Sequence, residues 1–416
     1  MTWQISQGFL SVNFDPAFTS AIASMLFIFG LWARINFGLL RRFCVPAGVV
    51  GGLCMSMIVF SLYLPRIALI NFDLTLQMPL ISIFFTRVGL TGSIQLLRRG
   101  GKVLVIYMCC CWGLVIFQNV LGVFMANVFD LHPVLGIMAG AVSLQGGHNL
   151  AGIFGPMAES MGVHGAHAVA VAAATFGLIS GGTLGAPLAD WLIRSRKLEL
   201  VTSYDALYKG YHNREEKENI EVHDFVHTLG MLLTIMALGQ WGAGRFQAWC
   251  VETLEWENFV FPGYLGAMLL AVFFRNVNDV LKIARMHTKS LDLISTVSVS
   301  LFLTISMMNL KIWELRGLAL PLVIMLLVQT LAILVFTVAS LFPLMAGDYD
   351  AAVMCSGFVG HGLGAPPSAV SMMRAVCDQY NVMSYKAFLI VPLCGAVLID
   401  LVALPSIIWF IQYYAR

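Results

Sequence analysis

Ten apolar runs of roughly 20 residues, each bounded by charged or turn residues, recur along the chain. That is the length an α-helix needs to cross a bilayer. The runs fall at about 17–37, 45–64, 76–96, 104–128 and 165–193, and again at about 226–243, 258–275, 291–310, 318–342 and 386–412. Only 11% of the 416 residues are charged and 59% are hydrophobic, whereas soluble domains carry about 25% charged residues. A mean hydropathy of +0.84 agrees, and a soluble globular class is excluded. A membrane β-barrel requires alternating polarity, which these runs lack. Met1 to Pro16 has neither the basic region nor the small-residue cleavage site of a secretory signal, so the first run is expected to remain in the mature protein. The expected fold class is an all-α polytopic membrane protein.

Against this apolar background one pattern, Ser-x-x-x-Gly-His-x-Leu, occurs twice: Ser143…Gly147-His148-Asn149-Leu150 and Ser356…Gly360-His361-Gly362-Leu363. Each copy lies in a glycine-rich, helix-breaking stretch, about 134–160 and about 350–373, between the fourth and fifth run of a half. Irregular backbone at membrane depth is tolerated only where it is buried in protein or lines a cavity. Both stretches are therefore read as re-entrant hairpins, and paired interruptions of this kind point to the substrate site of a secondary transporter.

The two halves match at one constant offset. Ser82, Phe84, Thr86, Ile94, Leu97 and Arg98 correspond to Ser300, Phe302, Thr304, Ile312, Leu315 and Arg316, and Gly177, Pro187 and Trp191 to Gly395, Pro405 and Trp409. The hairpin motif aligns with a slightly shorter offset. An internal duplication is expected: a first repeat over 1–193, a linker over 194–224 and a second repeat over 225–416. Arg41, Arg42, Arg98, Arg99, Lys102, Arg194, Arg196, Lys197, Arg275, Lys282, Arg285 and Lys289 fall in alternate loops, which the positive-inside rule assigns to the cytoplasm. Both termini then lie outside. An odd number of helices per repeat inverts the second copy, giving two inverted-topology repeats of five transmembrane helices plus one re-entrant hairpin each. The mixed-sign linker, with Arg214, Glu215, Glu216, Lys217 and Glu218, reads as a solvated cytoplasmic segment.

Ser143, Gln145, His148 and Asn149 surround Gly146-Gly147, while Ser356, His361 and Ser368 surround Gly362, Gly364 and Pro366-Pro367. A broken helix frees N–H donors, which suit a substrate carboxylate, and C=O acceptors, which with Ser or Asn oxygens suit a hard cation such as Na⁺. Close helix packing is the ordinary explanation of a glycine pair, but the duplication favours a site. Ser143, Gly147, His148, Asn149, Gly362 and Gly364 are thus expected to bind substrate, and Ser356 the cation. The two histidines serve equally as ties to the backbone or as substrate contacts, and a proton relay is open to them.

Arg87 and Asp400 lie mid-span, where an ionisable side chain costs roughly 2.5–3.5 kcal/mol and is a functional hypothesis by default. Arg87 suits a bidentate carboxylate clamp, and Asp400 suits an ammonium or a cation; a structural pair is the alternative. Gln118-Asn119 and Gln329-Thr330 are polar pairs at comparable depth and rank as secondary candidates, with interhelical hydrogen bonding as the plainer account. The nine cysteines show no zinc spacing, and Cys109-Cys110-Cys111 point in different directions on one helix turn, so neither a transition metal nor an organic cofactor is called for.

Taken in order, these residues resemble the bacterial sodium/glutamate symporters. The likeness runs through Pro46-Ala47-Gly48, Gly51-Gly52, Gln118-Asn119, Gly146-Gly147-His148, Ala174-Thr175-Phe176-Gly177-Leu178, Leu301-Phe302-Leu303, Tyr349-Asp350-Ala351-Ala352-Val353 and Gly362-Leu363-Gly364-Ala365. It covers nearly the whole chain outside the linker. The resemblance implies a dimerising scaffold domain, a mobile domain carrying substrate and Na⁺, and a site between the hairpin tips. Gln118, Asn119, Thr175 and Gln329 are expected to join Ser356 in binding the cation. Departures fall at Asn149, where the family typically has Gly, at Ala365-Pro366-Pro367-Ser368 in place of Ala-Thr-Pro-Thr, and at Arg87, where a small or hydroxyl residue is expected.

The reading that follows is a Na⁺-coupled symporter of glutamate or a related dicarboxylate, not an enzyme. It works by alternating access as a homodimer in a bacterial inner membrane, with lipid and no nucleic acid as its surroundings. The rivals are a Na⁺- or proton-coupled carrier of another organic anion, a passive channel, and an intramembrane serine hydrolase using Ser143 or Ser356. The hydrolase needs one site with an oxyanion hole, whereas the motif here is duplicated.

Overall fold

A computed structural model describes residues 2–6, 9–38, 40, 45–200, 221–254, 261–315, 317–364 and 366–415. Arg41, Arg42, Arg316, Ala365 and most of the 194–224 linker lie outside them. The helices sort into two compact units, each drawn from both halves of the chain: Met1–Ser93 with Ile220–Arg316, and Ile94–Asn219 with Gly317–Arg416.

The first unit opens with strands β1 (Thr2–Ser6) and β2 (Phe9–Asn13), paired antiparallel; β3 (Ala68–Asn71) adds to β2 in parallel. This small sheet supplements the expected all-α architecture. Its strands are four or five residues long, too short for their alternation to stand out beside the apolar runs. Helix α1 (Pro16–Asn36) starts behind Asp15, whose carboxylate accepts from the Phe18 N–H at 2.9 Å, with proline in the first turn. That N–H holds the Asp15 carboxyl below its usual range, as expected for an N-cap.

The remaining helices of this unit are α2 (Ala47–Tyr63), α3 (Gln77–Thr91), α8 (Val222–Leu254), α9 (Gly263–Leu281) and α10 (Thr288–Met308). Their packing is reciprocal: α2 lies on α10, and α9 lies on α3. The second helix of each half therefore rests on the third helix of the other. Small residues permit the approach, since a Cβ added at Gly48 would stand 2.5 Å from the Ser300 carbonyl and one at Gly89 2.3 Å from the Met268 carbonyl. Without a hydrophobic drive between helices in lipid, such close packing and hydrogen bonds hold them together. The Ser56 hydroxyl donates to the Met307 carbonyl, and Gln240 Nε2 donates to Ser82 Oγ at 2.8 Å.

In the second unit, α4 (Ile94–Val128) breaks at Gly101, where φ is +61°, and runs apolar from there. A short helix α5 (Pro133–Ile137), a π turn (Met138–Val142) and α6 (Gly147–Ser160) occupy the first glycine-rich stretch, followed by α7 (Ala166–Arg196). The second half supplies α11 (Ala319–Phe336, extended to Leu344), then α12 (Tyr349–Leu363) and α13 (Pro366–Tyr380) in the second glycine-rich stretch. The expected run at about 386–412 is two helices, α14 (Tyr385–Leu393) and α15 (Asp400–Tyr414), joined through a π turn. Pro392 and Pro405 remove ladder donors inside this segment, which a hydropathy window does not register. Among the described residues seven helices are long and apolar enough to cross a membrane: α1, α4, α7, α8, α9, α10 and α11.

The seam of the second unit is a glycine stripe on α7. A Cβ at Gly177, Gly181 or Gly185 would stand 2.1, 2.8 and 2.5 Å from the backbone carbonyls of Leu363, Gly360 and Ser356 on α12. Gly177→Ala should therefore force the two backbones apart, destabilising the protein by about 1–3 kcal/mol. Gly242 on α8 has open space around it, so Gly242→Ala should be neutral or stabilise by about 0.5–1 kcal/mol. Thermal unfolding of the two purified variants in detergent checks both signs.

Candidate functional site

Twelve of the thirteen candidate residues fall in the second unit; Arg87 alone falls in the first. At the first hairpin, helical geometry fails at Gly140 (φ −102°, ψ −128°) and again at Gly147 (φ +59°). Between these breaks the fully buried Ser143 donates to the Met138 carbonyl. His148, in the first turn of α6, places Nε2 3.1 Å from Thr175 Oγ1 on α7, and that hydroxyl donates to the Val171 carbonyl at 2.9 Å. Because the single hydroxyl proton is already used, the imidazole must donate, so the His148 proton sits on Nε2. Asn149 is half-buried beside it.

At the second hairpin, α12 ends at Gly364 (φ −131°, ψ −107°). Ser356 donates to Val353 O within its own helix. His361 is packed between the rings of Tyr107 and Phe358, with Nε2 3.0 Å from the Tyr107 hydroxyl and 3.6 Å from Cys111 Sγ. Neither serine bonds its neighbouring histidine, so the Ser-His hydrolase arrangement is not formed.

The helices α4 and α11 join these hairpins. Gln118 Nε2 donates to the Gly362 carbonyl at 3.1 Å, Gln118 Oε1 accepts from Gln145 Nε2 at 2.5 Å, and Gln329 Nε2 donates to the Gln118 carbonyl at 2.9 Å. Around this chain several buried polar atoms have no partner among the described residues: both amide atoms of Asn119, Oε1 of Gln145 and of Gln329, Nδ1 of His361 and Oγ of Ser368. Leaving one such atom buried and unpaired costs about 1–3 kcal/mol. Carboxamide and hydroxyl oxygens form the donor set that a hard cation prefers. Gln145 is visible in the sequence as a hairpin residue, but its bond to Gln118 is not. Tyr107 carries no motif; its one signal is a hydroxyl in an apolar run, which must find a partner.

Arg87 finds its carboxylate in Asp292, with Nε and Nη2 3.0 and 2.5 Å from Oδ1. The expected alternative partner, Asp400, belongs to the second unit, where it opens α15. Asp292 escapes notice in sequence because it lies only one turn into α10, at the charged edge of the apolar run beside Lys289. Arg87 and Asp292 line a cavity of about 260 Å³ with Arg275, Asn278, Thr91 and Thr288.

Membrane-length helices, two glycine-rich stretches broken within the helical pattern, and buried unpaired polar atoms beside them are the features of a polytopic membrane protein with a polar centre. The sodium/glutamate symporter profile matches residues 12–382. The sodium/glutamate symporter of Haemophilus influenzae is 30% identical over 397 residues, covering 94% of this chain and 96% of that protein. That of Escherichia coli is 30% identical over 392 residues, with the same coverage. The chain belongs to the sodium/glutamate symporter family, and it is a multi-pass membrane transporter rather than an enzyme.

The ion pair within the first unit is testable by a double-mutant cycle. Arg87→Ala and Asp292→Ala should each lower the melting temperature, and the double variant should lose less than the sum, with a coupling of about 0.5–3 kcal/mol.

Proposed function

We propose that this chain is a Na⁺-coupled secondary active symporter of glutamate or a closely related dicarboxylate, working by alternating access as a homodimer in a bacterial inner membrane. The observation that carries this reading is the set of unpartnered buried carboxamide atoms on α4, α11 and the first hairpin, in a chain whose relatives are sodium/glutamate symporters. Na⁺ is assigned to the oxygens of Asn119 and Gln329, with Ser356 and Thr175 in support, while Gln118, whose two oxygens already accept from Gln145 and Gln329, holds the cluster together. The substrate is assigned to the α6 N-terminus at Gly147, His148 and Asn149, with Ser143, Gly362 and Gly364; exposed N–H donors and the helix dipole favour a carboxylate there. Asp400 is assigned to the substrate ammonium. Arg87, in the first unit, is assigned to an anionic ligand of its own cavity, with Asp292 as its carboxylate partner there.

The reciprocal packing of α2 on α10 and of α9 on α3 supports a duplicated, inverted architecture with two re-entrant hairpins. In that topology the loop after α6 faces outward and the end of α7 faces the cytoplasm. Impermeant thiol reagents should therefore label Ser160→Cys only from outside and Arg196→Cys only from inside, both positions being exposed. A reversed pattern breaks the inverted arrangement.

Proteoliposomes given labelled glutamate should accumulate it above the external concentration when an inward Na⁺ gradient is imposed. Accumulation driven by a pH gradient alone would assign proton coupling, and equilibration without accumulation would assign a channel. Asn119→Ala or Asn149→Ala should raise the apparent KM for Na⁺ or glutamate about tenfold or more, the equivalent of one hydrogen bond to a charged ligand, without loss of membrane insertion.

A further inference from the structure

One side chain is bonded to both hairpins at once. Gln118, wholly buried on α4, accepts from Gln145 at the tip of the first hairpin and donates to Gly362 at the end of α12 in the second. The direction of this chain of bonds is fixed rather than free. A backbone carbonyl can only accept, so the Gly362 oxygen requires the amide nitrogen of Gln118. The Gln118 oxygen must then face Gln145, which has to present its own nitrogen. The remaining group, Gln145 Oε1, is consequently an acceptor, and it is buried with no partner among the described residues.

We propose that Gln118 and Gln145 form an amide relay through which closure of the second hairpin orients Gln145 Oε1 as a ligand for the coupling cation. Gln145 is thus a cation-binding residue and Gln118 is its positioning residue. The relay rests on the symport reading for the identity of the cation, but not for the link between the hairpins. If either hairpin tip moves, Gln118 is left with an unmade bond in a buried setting. The two tips therefore close together, and a cation on Gln145 Oε1 polarises each bond behind it back to Gly362. A coupling of this kind is typically worth about 5- to 150-fold in affinity.

The first test reads the hairpins alone, by hydrogen exchange on the purified full-length protein. Gln145→Leu, a change confined to the first hairpin, should speed amide exchange around Gly362–Gly364 in the second about fivefold or more, and adding NaCl should slow it in the parent but not in the variant. Exchange at 362–364 identical to the parent would overturn the relay, whatever uptake assays show.

The second test is Gln118→Glu. A protonated carboxyl has an O–H for Gly362 and a C=O for Gln145, the same polarity as the amide; an ionised one has no donor. The variant should keep a near-parental apparent KM for Na⁺ at acidic pH and lose it by about tenfold or more as pH rises. The other titratable groups on α4, α6 and α12, among them His148, Glu159, His361, Tyr107, Cys109, Cys110, Cys111, Tyr349, Asp350 and Cys355, are shared by the parent, so its own pH profile is the baseline. Gln118→Leu, which has neither group, should show the weakened Na⁺ dependence at every pH. A Gln118→Glu profile parallel to the parent's overturns the assignment. If glutamate uptake proves independent of Na⁺ while the exchange result stands, the symport reading fails and the hairpin link survives.

Discussion

Inside a bilayer a backbone group that leaves its helix ladder has no water to turn to, and the second unit is organised around that fact. The chain leaves the ladder near Gly140 and Gly147 in one hairpin and at Gly364 in the other. Each break is compensated by polar side chains from helices that are themselves unbroken there: Gln118 on α4 takes the Gly362 carbonyl, and Thr175 on α7 takes His148. Gln329 on α11 takes the Gln118 carbonyl in turn. The breaks are close enough to be compensated only because α7 presents glycine to α12, where any Cβ would meet a carbonyl.

Satisfaction is incomplete, and the incompleteness is informative. Packing alone would favour apolar residues at positions that cannot be paired, since replacing both partners of a buried hydrogen bond by apolar groups is nearly neutral. Asn119 instead retains an amide with neither end bonded, and Gln145 and Gln329 each retain an unbonded Oε1. On the proposed function, the oxygens among these atoms are the groups that the coupling cation takes as ligands.

Much of this was legible in the sequence. Helices lie over each of the ten expected runs, because run length and bounding charge report directly on membrane-crossing segments. The two glycine-rich stretches are helical arms meeting at breaks, because Gly and Pro act on the backbone locally. The second arm continues to Tyr380 rather than ending near 373, since its polar residues Arg374, Asp378 and Gln379 suit an amphipathic helix as well as a loop. Partner identity was not legible. Ser143 and Ser356, chosen for their place in the motif, donate their hydroxyl protons to nearby carbonyls of the same segment, whereas Gln145, without a motif role, bonds across the hairpins.

Arg87 shows why. An intramembrane guanidinium demands a partner, and the energetic argument for one is sound. It specifies only that a carboxylate be near, not which. Asp292 and Asp400 are equivalent on that criterion, and what separates them is a division of the chain that runs across the repeats: the first three helices of each half form one unit and the hairpins with their flanking helices form the other. The duplication expected from sequence offsets pairs segments by correspondence, and correspondence is not contact. The packing of α2 on α10 and of α9 on α3 brings helices of the two halves together, so each unit draws the helices of the same order from both halves. Arg87 on the third helix thereby meets Asp292 on the third helix of the other half, just as Gln118 on the fourth helix meets Gln329 on its counterpart.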